Sequence, residues 1–400
     1  MSILLSDAGL HRHLLPLTHT RPLGALRPGI LTTADAWWRM TELPVGFRTE
    51  HYLSAKYTDV HGDVVREVHG GLLPTPDVVG ALLDLEPGQA LVHAGKLLAI
   101  CEAGRGRSSA LDWTTIPAFP KPVEFAGEAI VIERPWHIFQ HCGRAILNDF
   151  VLLTDGRRSG RLSAQNTVIG DASLIFLEEG AQCEAAILNT TAGPIYIGKG
   201  AEIMEGCMVR GPFALGDGAQ LKMGAKVYGP SSFGPECRVG GEVNNSVLLG
   251  YSNKGHDGFL GNSVLGEWCN LGADTNNSNL KNTYGEVAAW SYADEANVMT
   301  GLQFCGLIMG DHSKSGINTM FNTGTVVGVC ANVFGGGFPP KHIPSFAWGG
   351  SEGMIEHSVA KALDTAGRVM ARRHKELSMQ EAAILGHVHK ETERYRKRSA

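Results

Sequence analysis

Between Ile197 and Val239 an apolar side chain recurs at every sixth position: Ile197, Ile203, Val209, Leu215, Leu221, Val227, Phe233 and Val239. Glycine follows four of them, and four places on from most of them the side chain is small: Ala201, Cys207, Ala219, Ala225, Ser231 and Cys237. Phe213 and Val243 are the exceptions. An α-helix repeats about every 3.6 residues and a half-buried strand every two, so neither explains a sixfold beat. A hexapeptide repeat is the signature of a parallel β-helix. Each hexad supplies one short strand and one turn, and three hexads make a triangular coil with its aliphatic residues inward. A coil cannot bury its own faces, so coils stack.

The beat continues on both sides with interruptions. Upstream, Ile169-Gly170 and the run from Leu174 to Ala181 predict an irregular first coil. Downstream, Leu265-Gly266 and Leu271-Gly272 resume the pattern, and a third block runs through Met309, Ser315, Phe321, Val327 and Val333. The span from Leu271 to Met309 is not a multiple of six, which predicts an inserted loop carrying Tyr284, Trp290, Tyr292 and Phe304. That loop is expected either to cover a site or to brace a neighbouring subunit. The β-helix is expected to end near Gly335-Gly336-Gly337, with Pro339 and Pro340 excluding a central strand after it.

Residues 1 to about 165 lack the beat. Ser2–Leu5 reads as a buried strand, Pro16–Gly29 as a loop, and Ala34–Thr41 as a helix with Trp37 and Trp38 packed. Thr75–Leu85 reads as a second helix and Ala90–Glu102 as strand, turn, strand. This alternation predicts an α/β domain. After Ser351 the chain reads as largely helical, with a stripe at Ile355, Val359, Leu363, Ala366 and Met370. A capping box spans Ser378–Glu381, and the charged end from Lys390 reads as a frayed tail. The expected domains are 1–165, 166–345 and 346–400.

Composition changes this picture little. Apolar residues make up 43% and charged residues 19% of 400, values of a water-soluble globular chain. A net charge of −5 gives no reason to expect nucleic acid or membrane as a partner. The eight cysteines include no C-x-x-C pair, and Cys183, Cys207 and Cys237 share the small inner phase of the hexads. They are expected as buried, reduced thiols in a cytoplasmic protein.

Leu14–Pro22, reading LLPLTHTRP, resembles the signature loop of sugar nucleotidyltransferases, and ERPWHIF at 133–139 resembles a motif that closes the same domain. In that family a glycine-rich turn brings backbone N–H groups to nucleotide phosphates, and basic groups stabilise charge on the transferring phosphoryl. The resemblance implies nucleotide contacts at Gly9, with Arg21 and Arg27 standing in for a basic residue replaced here by Leu23. It also implies a nucleoside triphosphate and Mg²⁺, although no aspartate matches the family's metal ligands. A retained fold with weak transfer and an active enzyme both remain open.

The order of such a domain followed by hexads resembles the bifunctional enzymes that make UDP-N-acetylglucosamine. The resemblance implies a left-handed β-helix, a homotrimer, and acetyl transfer from acetyl-CoA to an amino-sugar phosphate such as glucosamine-1-phosphate. His256 in SNKGHDG falls on that family's catalytic histidine, and Asn270 and Asn279 fall on sugar-binding asparagines. The resemblance also implies substrate contacts at Lys222, which lies near the family's basic residue for the sugar phosphate, and at Lys254, one place off its lysine before the histidine. Departures occur at Phe259, Leu280 and Asn244, which put the identity of the sugar in question.

A physical argument stands beside this. Acetylating an amine requires removal of a proton from the ammonium, which suits a histidine titrating near neutrality. His256 also sits in a polar, Gly-flanked break in the hexads, where a loop is expected on a rigid scaffold. Asp257 either orients the ring or serves only as a turn residue. Asn276, Asn277, Asn279 and Asn282 form either a binding loop or an asparagine ladder. Arg372, Arg373 and Lys375 either meet CoA phosphates or form a solvated face. The readings outside acyl transfer are an active nucleotidyltransferase assembled through its β-helix, and a non-catalytic structural trimer.

Overall fold

The computed structural model describes residues 1–104, 111, 113 and 121–399, without the side chains of 398 and 399. The chain separates into two compact units. One comprises Met1–Leu14, Thr20–Arg27 and Leu31–Arg134, and the other Leu15–His19, Pro28–Ile30 and Pro135–Ala400.

The first unit is an α/β layer. Its strands are β1 (Ser2–Ser6), β2 (Val45–Arg48), β3 (Val64–His69), β4 (Ala90–His93), β5 (Lys96–Ala103) and β6 (Pro122–Glu124), in the order β2-β1-β3-β5-β4-β6. β1 runs parallel to both β2 and β3, while β5 is antiparallel to β3 and β4. Helix α1 (Thr33–Thr41) opens on a capping box between Thr32 and Asp35. Helix α2 (Pro76–Leu83) opens on Thr75, whose side chain accepts from the Val78 amide. Both caps satisfy amides that a helix start leaves orphaned. Trp37 is fully buried and its indole N–H donates to the Leu72 carbonyl at 3.0 Å. Trp38, expected beside it in the core, is 52% exposed, because successive helical positions point to different faces.

The second unit is a parallel β-helix. Its three sheets contain six, nine and ten strands among the described residues. Phe213 pairs with Ile195 and then with Ser231, each step being one coil of eighteen residues, or three hexads. The hexad aliphatics point inward: Ile197, Leu215, Leu221, Phe233 and Val239 are all fully buried. Burying each such side chain is worth about 1.5–3 kcal/mol. The eight cysteines are free and buried. Helix α3 (His137–Thr154) packs on this β-helix, where the absent side chain at Gly143 lets Pro230 approach.

Three expectations need correction. The β-helix does not stop near Gly337: His342-Ile343 and Ala347–Gly350 add further rungs, pairing with Val326-Val327 and Asn332-Val333. The C-terminal stripe begins later, because Gly353–Glu356 forms a hairpin strand that leaves Ile355 71% exposed. Helix α4 (Val359–Ala371) then buries Ala362, Ala366 and Met370, and α5 (Met379–Glu391) starts on the expected capping box at Ser378. The charged end is not frayed either. It forms α6 (Glu393–Ser399), with Tyr395 buried and the Arg396 guanidinium donating to the Ser345 and His389 carbonyls. Its charges mislead because the long side chains of Tyr395 and Arg396 pack through their stems and rings.

The inserted loop forms a hairpin, Ala288–Ser291 with Ala296–Met299. It docks on its own chain. Trp290 stacks on His342 at 4.3 Å, and Tyr292, fully buried, meets His342 and Tyr395 edge-on.

Candidate functional site

In a strand, successive side chains face opposite sides. Along the ten-stranded sheet the inward row reads Ile203, Leu221, Val239, and the outward row reads Glu202, Gln220, Arg238, Asn253, Asn270, Lys314 and Asn332. Stacking thus converts residues far apart in sequence into a continuous polar column. A cavity of about 610 Å³ lies over its Arg238–Lys314 rungs.

One wall of the cavity is aromatic, made by Tyr251 and Trp268. Tyr251, Trp268 and His312 occupy the same corner in successive coils, each with a left-handed backbone at φ 55–61°. Each such non-glycine position costs roughly 1–2 kcal/mol. The rings stack, Tyr251 on Trp268 at 4.2 Å and Trp268 on His312 at 6.2 Å. Aromatic pairing offsets part of that cost.

The lining is also rich in cations. Lys222, Arg238, Lys314, Arg372 and Arg373 contribute five cations, with no carboxylate among the described lining residues. Helix α4 delivers the last two at its C-terminal end. Glu236 lies just outside, at 3.0 Å from Arg238 and 3.7 Å from Arg373. Arg373 also donates to the Asn253 amide oxygen at 3.1 Å. Burial pulls the Arg373 pKa down, and the Arg238 charge adds to the effect. Burial likewise lowers Lys314, whose ammonium donates to the His312 carbonyl at 2.8 Å. Arg373 and Lys314, held charged against burial, make a favourable seat for an anion.

His256 is exposed on the cavity wall, on the corner Gly255–Gly258. Lys222 and Asn270 line the same cavity, so three of the expected residues come together. Lys222 Nζ donates to Gln220 Oε1 at 2.9 Å. Lys254 does not face the cavity. It continues the inward row opposite Val239, is 2% exposed, and donates to the carbonyls of Gly240 and His256, both at 2.9 Å. Burial lowers its pKa to about 8. Asn279 lies elsewhere, donating to Asn262 Oδ1 at 2.8 Å. Asn276 and Asn277 accept from the amides of Phe259 and Gly261, so these asparagines tie coil to coil.

In the first unit, Gly9 takes a left-handed φ of 76° in the turn after β1. Asp7 fastens that turn: its carboxylate accepts from the Leu23 amide at 3.1 Å and the Thr49 hydroxyl at 3.0 Å. Arg21 is buried and Arg27 half-buried. None of Gly9, Arg21 and Arg27 lines the 300 Å³ cavity of this unit, which is bounded by His13, His69, Lys96, Trp113, Glu133 and Arg134. His69 accepts from the Gly71 amide at 3.1 Å, and burial lowers its pKa to about 4. Lys96 pairs with Glu133 at 2.7 Å. Among the described residues no three His, Cys, Asp or Glu side chains gather as a metal site. No described helix is long and apolar enough to cross a membrane.

Residues 2–158 match the family model described as sugar nucleotidyl transferase. Two curated relatives, each named bifunctional protein GlmU, come from Methanococcus aeolicus and Methanocaldococcus jannaschii. They are 30% and 32% identical to this chain over 87 residues, 22% of it. The chain thus spans only about a fifth of the length of these relatives, 20% and 21%. Among solved structures, the polySia specific acetyltransferase NeuO aligns over 53% of this chain and all of its own, at 8% identity and a TM-score of 0.28. An α/β nucleotidyltransferase-like domain, a parallel β-helix and C-terminal helices are therefore the fold class of this chain.

Sequence reasoning missed Arg238, Tyr251, Trp268 and Lys314. For three of them the signal is present: GYSN, EWCN and DHSK each place a ring one residue before the small inner position and a polar side chain one after it, whereas Arg238 follows Glu236 in PECR and lacks the ring.

Proposed function

We propose that the β-helix unit transfers acetyl from acetyl-CoA to an amino-sugar phosphate, with His256 as general base. The observation that supports this most is one cavity joining an accessible imidazole to five cations, only two of which, Arg238 and Arg373, pair with a carboxylate among the described residues, that of Glu236 outside the lining. The cations suit the phosphates of CoA or of the sugar, and the imidazole takes the proton that the amine must lose. Asn270 and Lys222 would hold the acceptor. Asn279, remote from this cavity within the chain, is assigned to the acceptor only through a neighbouring subunit of a homotrimer. Closed cyclic assembly of a prism with exposed flat faces favours that arrangement. In this reading the protein is cytoplasmic, where acetyl-CoA is made available.

The first domain is assigned a divergent nucleotidyl-transfer role, with Gly9, Arg21 and Arg27 toward a nucleoside triphosphate and Mg²⁺. Leu23, in the place of the family's basic residue, is buried and tied through its amide to Asp7, so it supplies no charge. The test of the main activity is a screen of sugar phosphates with acetyl-CoA, read as free thiol. Thiol release that requires an amino-sugar phosphate supports the proposal; none with any acceptor rejects it.

A further inference from the structure

Lys254 presents a problem that acyl transfer alone does not solve. The inward row of the ten-stranded sheet is otherwise aliphatic through this region, with Ile203, Leu221 and Val239 before it and Leu271 in the next coil. A charged amine in that row carries a desolvation cost, and its side chain ends inside the prism, where no substrate reaches it.

The corner geometry explains why an amine fits there. Four residues separate Ile203 from Met208, Leu221 from Lys226, and Lys254 from Phe259. Only two, Gly240 and Gly241, separate Val239 from Glu242. The corner immediately before the His256 corner is thus cut back by two residues. A side chain at Gly241 would lie 2.8 Å from Lys254 Nζ, and its left-handed φ of 68° also favours glycine. The shortened corner therefore leaves room for the ammonium, which spans the gap from Gly240 to His256 with two bonds of 2.9 Å.

We infer that Lys254 is a positioning residue, an internal ammonium that holds the His256 corner in place across a shortened coil. The inference rests on the acyl-transfer reading for its kinetic consequence but not for its structural one. Lys254 touches the backbone of His256 and neither substrate nor ring, so it acts through the corner it fixes.

The test pairs two substitutions with two readouts. Lys254→Met keeps an unbranched side chain of similar length and restores the apolar row. Lys254→Gln keeps N–H donors without the charge. In folded Lys254→Met, hydrogen exchange at 255–258 should accelerate, while the equivalent corner at 272–275 keeps its wild-type rate. A purely structural role would instead accelerate both corners together. Turnover should fall by roughly 10- to 100-fold, the weight of hydrogen bonds to a charged group, with KM for acetyl-CoA little changed. Lys254→Gln should fall between the two, and it carries the exchange test if the Met variant does not fold. Wild-type exchange and wild-type kcat in a folded variant overturn the inference. If the unmodified protein acetylates nothing, the acyl-transfer reading fails, and the exchange pattern at 255–258 still decides the role of Lys254.

Discussion

The β-helix contains two kinds of coil. From Ile195 to Phe233 each rung advances by eighteen residues, the inward positions are apolar, and the corners are built from small residues and glycine. From Ser232 to Lys314 the steps are irregular: Ser232 to Val247 takes fifteen residues, Asn253 to Asn270 seventeen, and Asn270 to Lys314 forty-four. The regular coils offer a ruler. The irregular coils carry His256, the Tyr251–Trp268–His312 stack, Lys254 and the inserted hairpin. The irregular corners stay ordered through hydrogen bonds to the neighbouring coils, as at the His256 corner, where the Glu242 amide donates to the Gly258 carbonyl and the Asp274 amide to the Asp257 carbonyl.

Substitutions should separate the two kinds of coil. The largest effect is expected at His256: His256→Ala should lower turnover by roughly 10²–10⁴, the usual share of a general base, at unchanged melting temperature. The loss should shrink as pH rises and free amine forms unaided. His256→Gln, similar in polar volume, should not rescue it if the role is proton transfer. Unaltered turnover across the pH range would remove His256 from the mechanism.

In a regular coil the pattern should invert. Phe233 is fully buried and packs edge-on against Phe213 at 5.3 Å. Phe233→Ala should cost about 3–5 kcal/mol in denaturant unfolding, from lost transfer energy and a cavity. Turnover of the folded fraction should stay near the wild-type value. A matching drop in kcat would mean that the regular coils do more than carry the site.

The first domain gives a third contrast. With Leu23 in place of a basic group, pyrophosphate release from UTP and N-acetylglucosamine-1-phosphate should run about 10²–10³ below ordinary enzyme rates. Ordinary rates would mean that Arg21 or Arg27 has taken over that charge. A smaller effect is expected at Arg373, where Arg373→Ala should raise KM for acetyl-CoA roughly tenfold, and more at low salt, with kcat changed little.

The last effect concerns pH. Lys254 titrates at about 8 in the folded chain against 10.5 for a free lysine. Between those values the unfolded chain binds the extra proton, so stability rises with pH across that window. Below about pH 8 both states are protonated and the dependence vanishes. The denaturation midpoint of the wild type should therefore rise from pH 8 to 10.5 relative to that of Lys254→Met, which has no amine to titrate. A constant difference would show that the amine is not titrating as its burial requires.

The sequence alone determined the coil. A sixfold beat needs no tertiary information, because an inward aliphatic and a small corner residue recur wherever a three-hexad coil repeats, and the buried cysteines followed from the same phase. It also marked His256, since a polar Gly-flanked segment interrupts that beat. The helices at Thr33 and Pro76 were legible from caps and periodicity, which are local. What only the tertiary structure decided is which side chains share a face. Arg238, Asn253, Asn270 and Lys314 form one column because coils of unequal length still stack in register, and hydrogen bonding between strands, not spacing in sequence, sets that register. Lys254 looked like a ligand beside a catalytic histidine, yet alternation within a two-residue strand turned it inward while Asn253 faced out. Arg372 and Arg373 reached the cavity only through the packing of α4, and the charged C-terminus became a helix only because Tyr395 and Arg396 found partners distant in sequence. Local pattern fixes the direction in which a side chain can point; the stacking of coils fixes what it meets there.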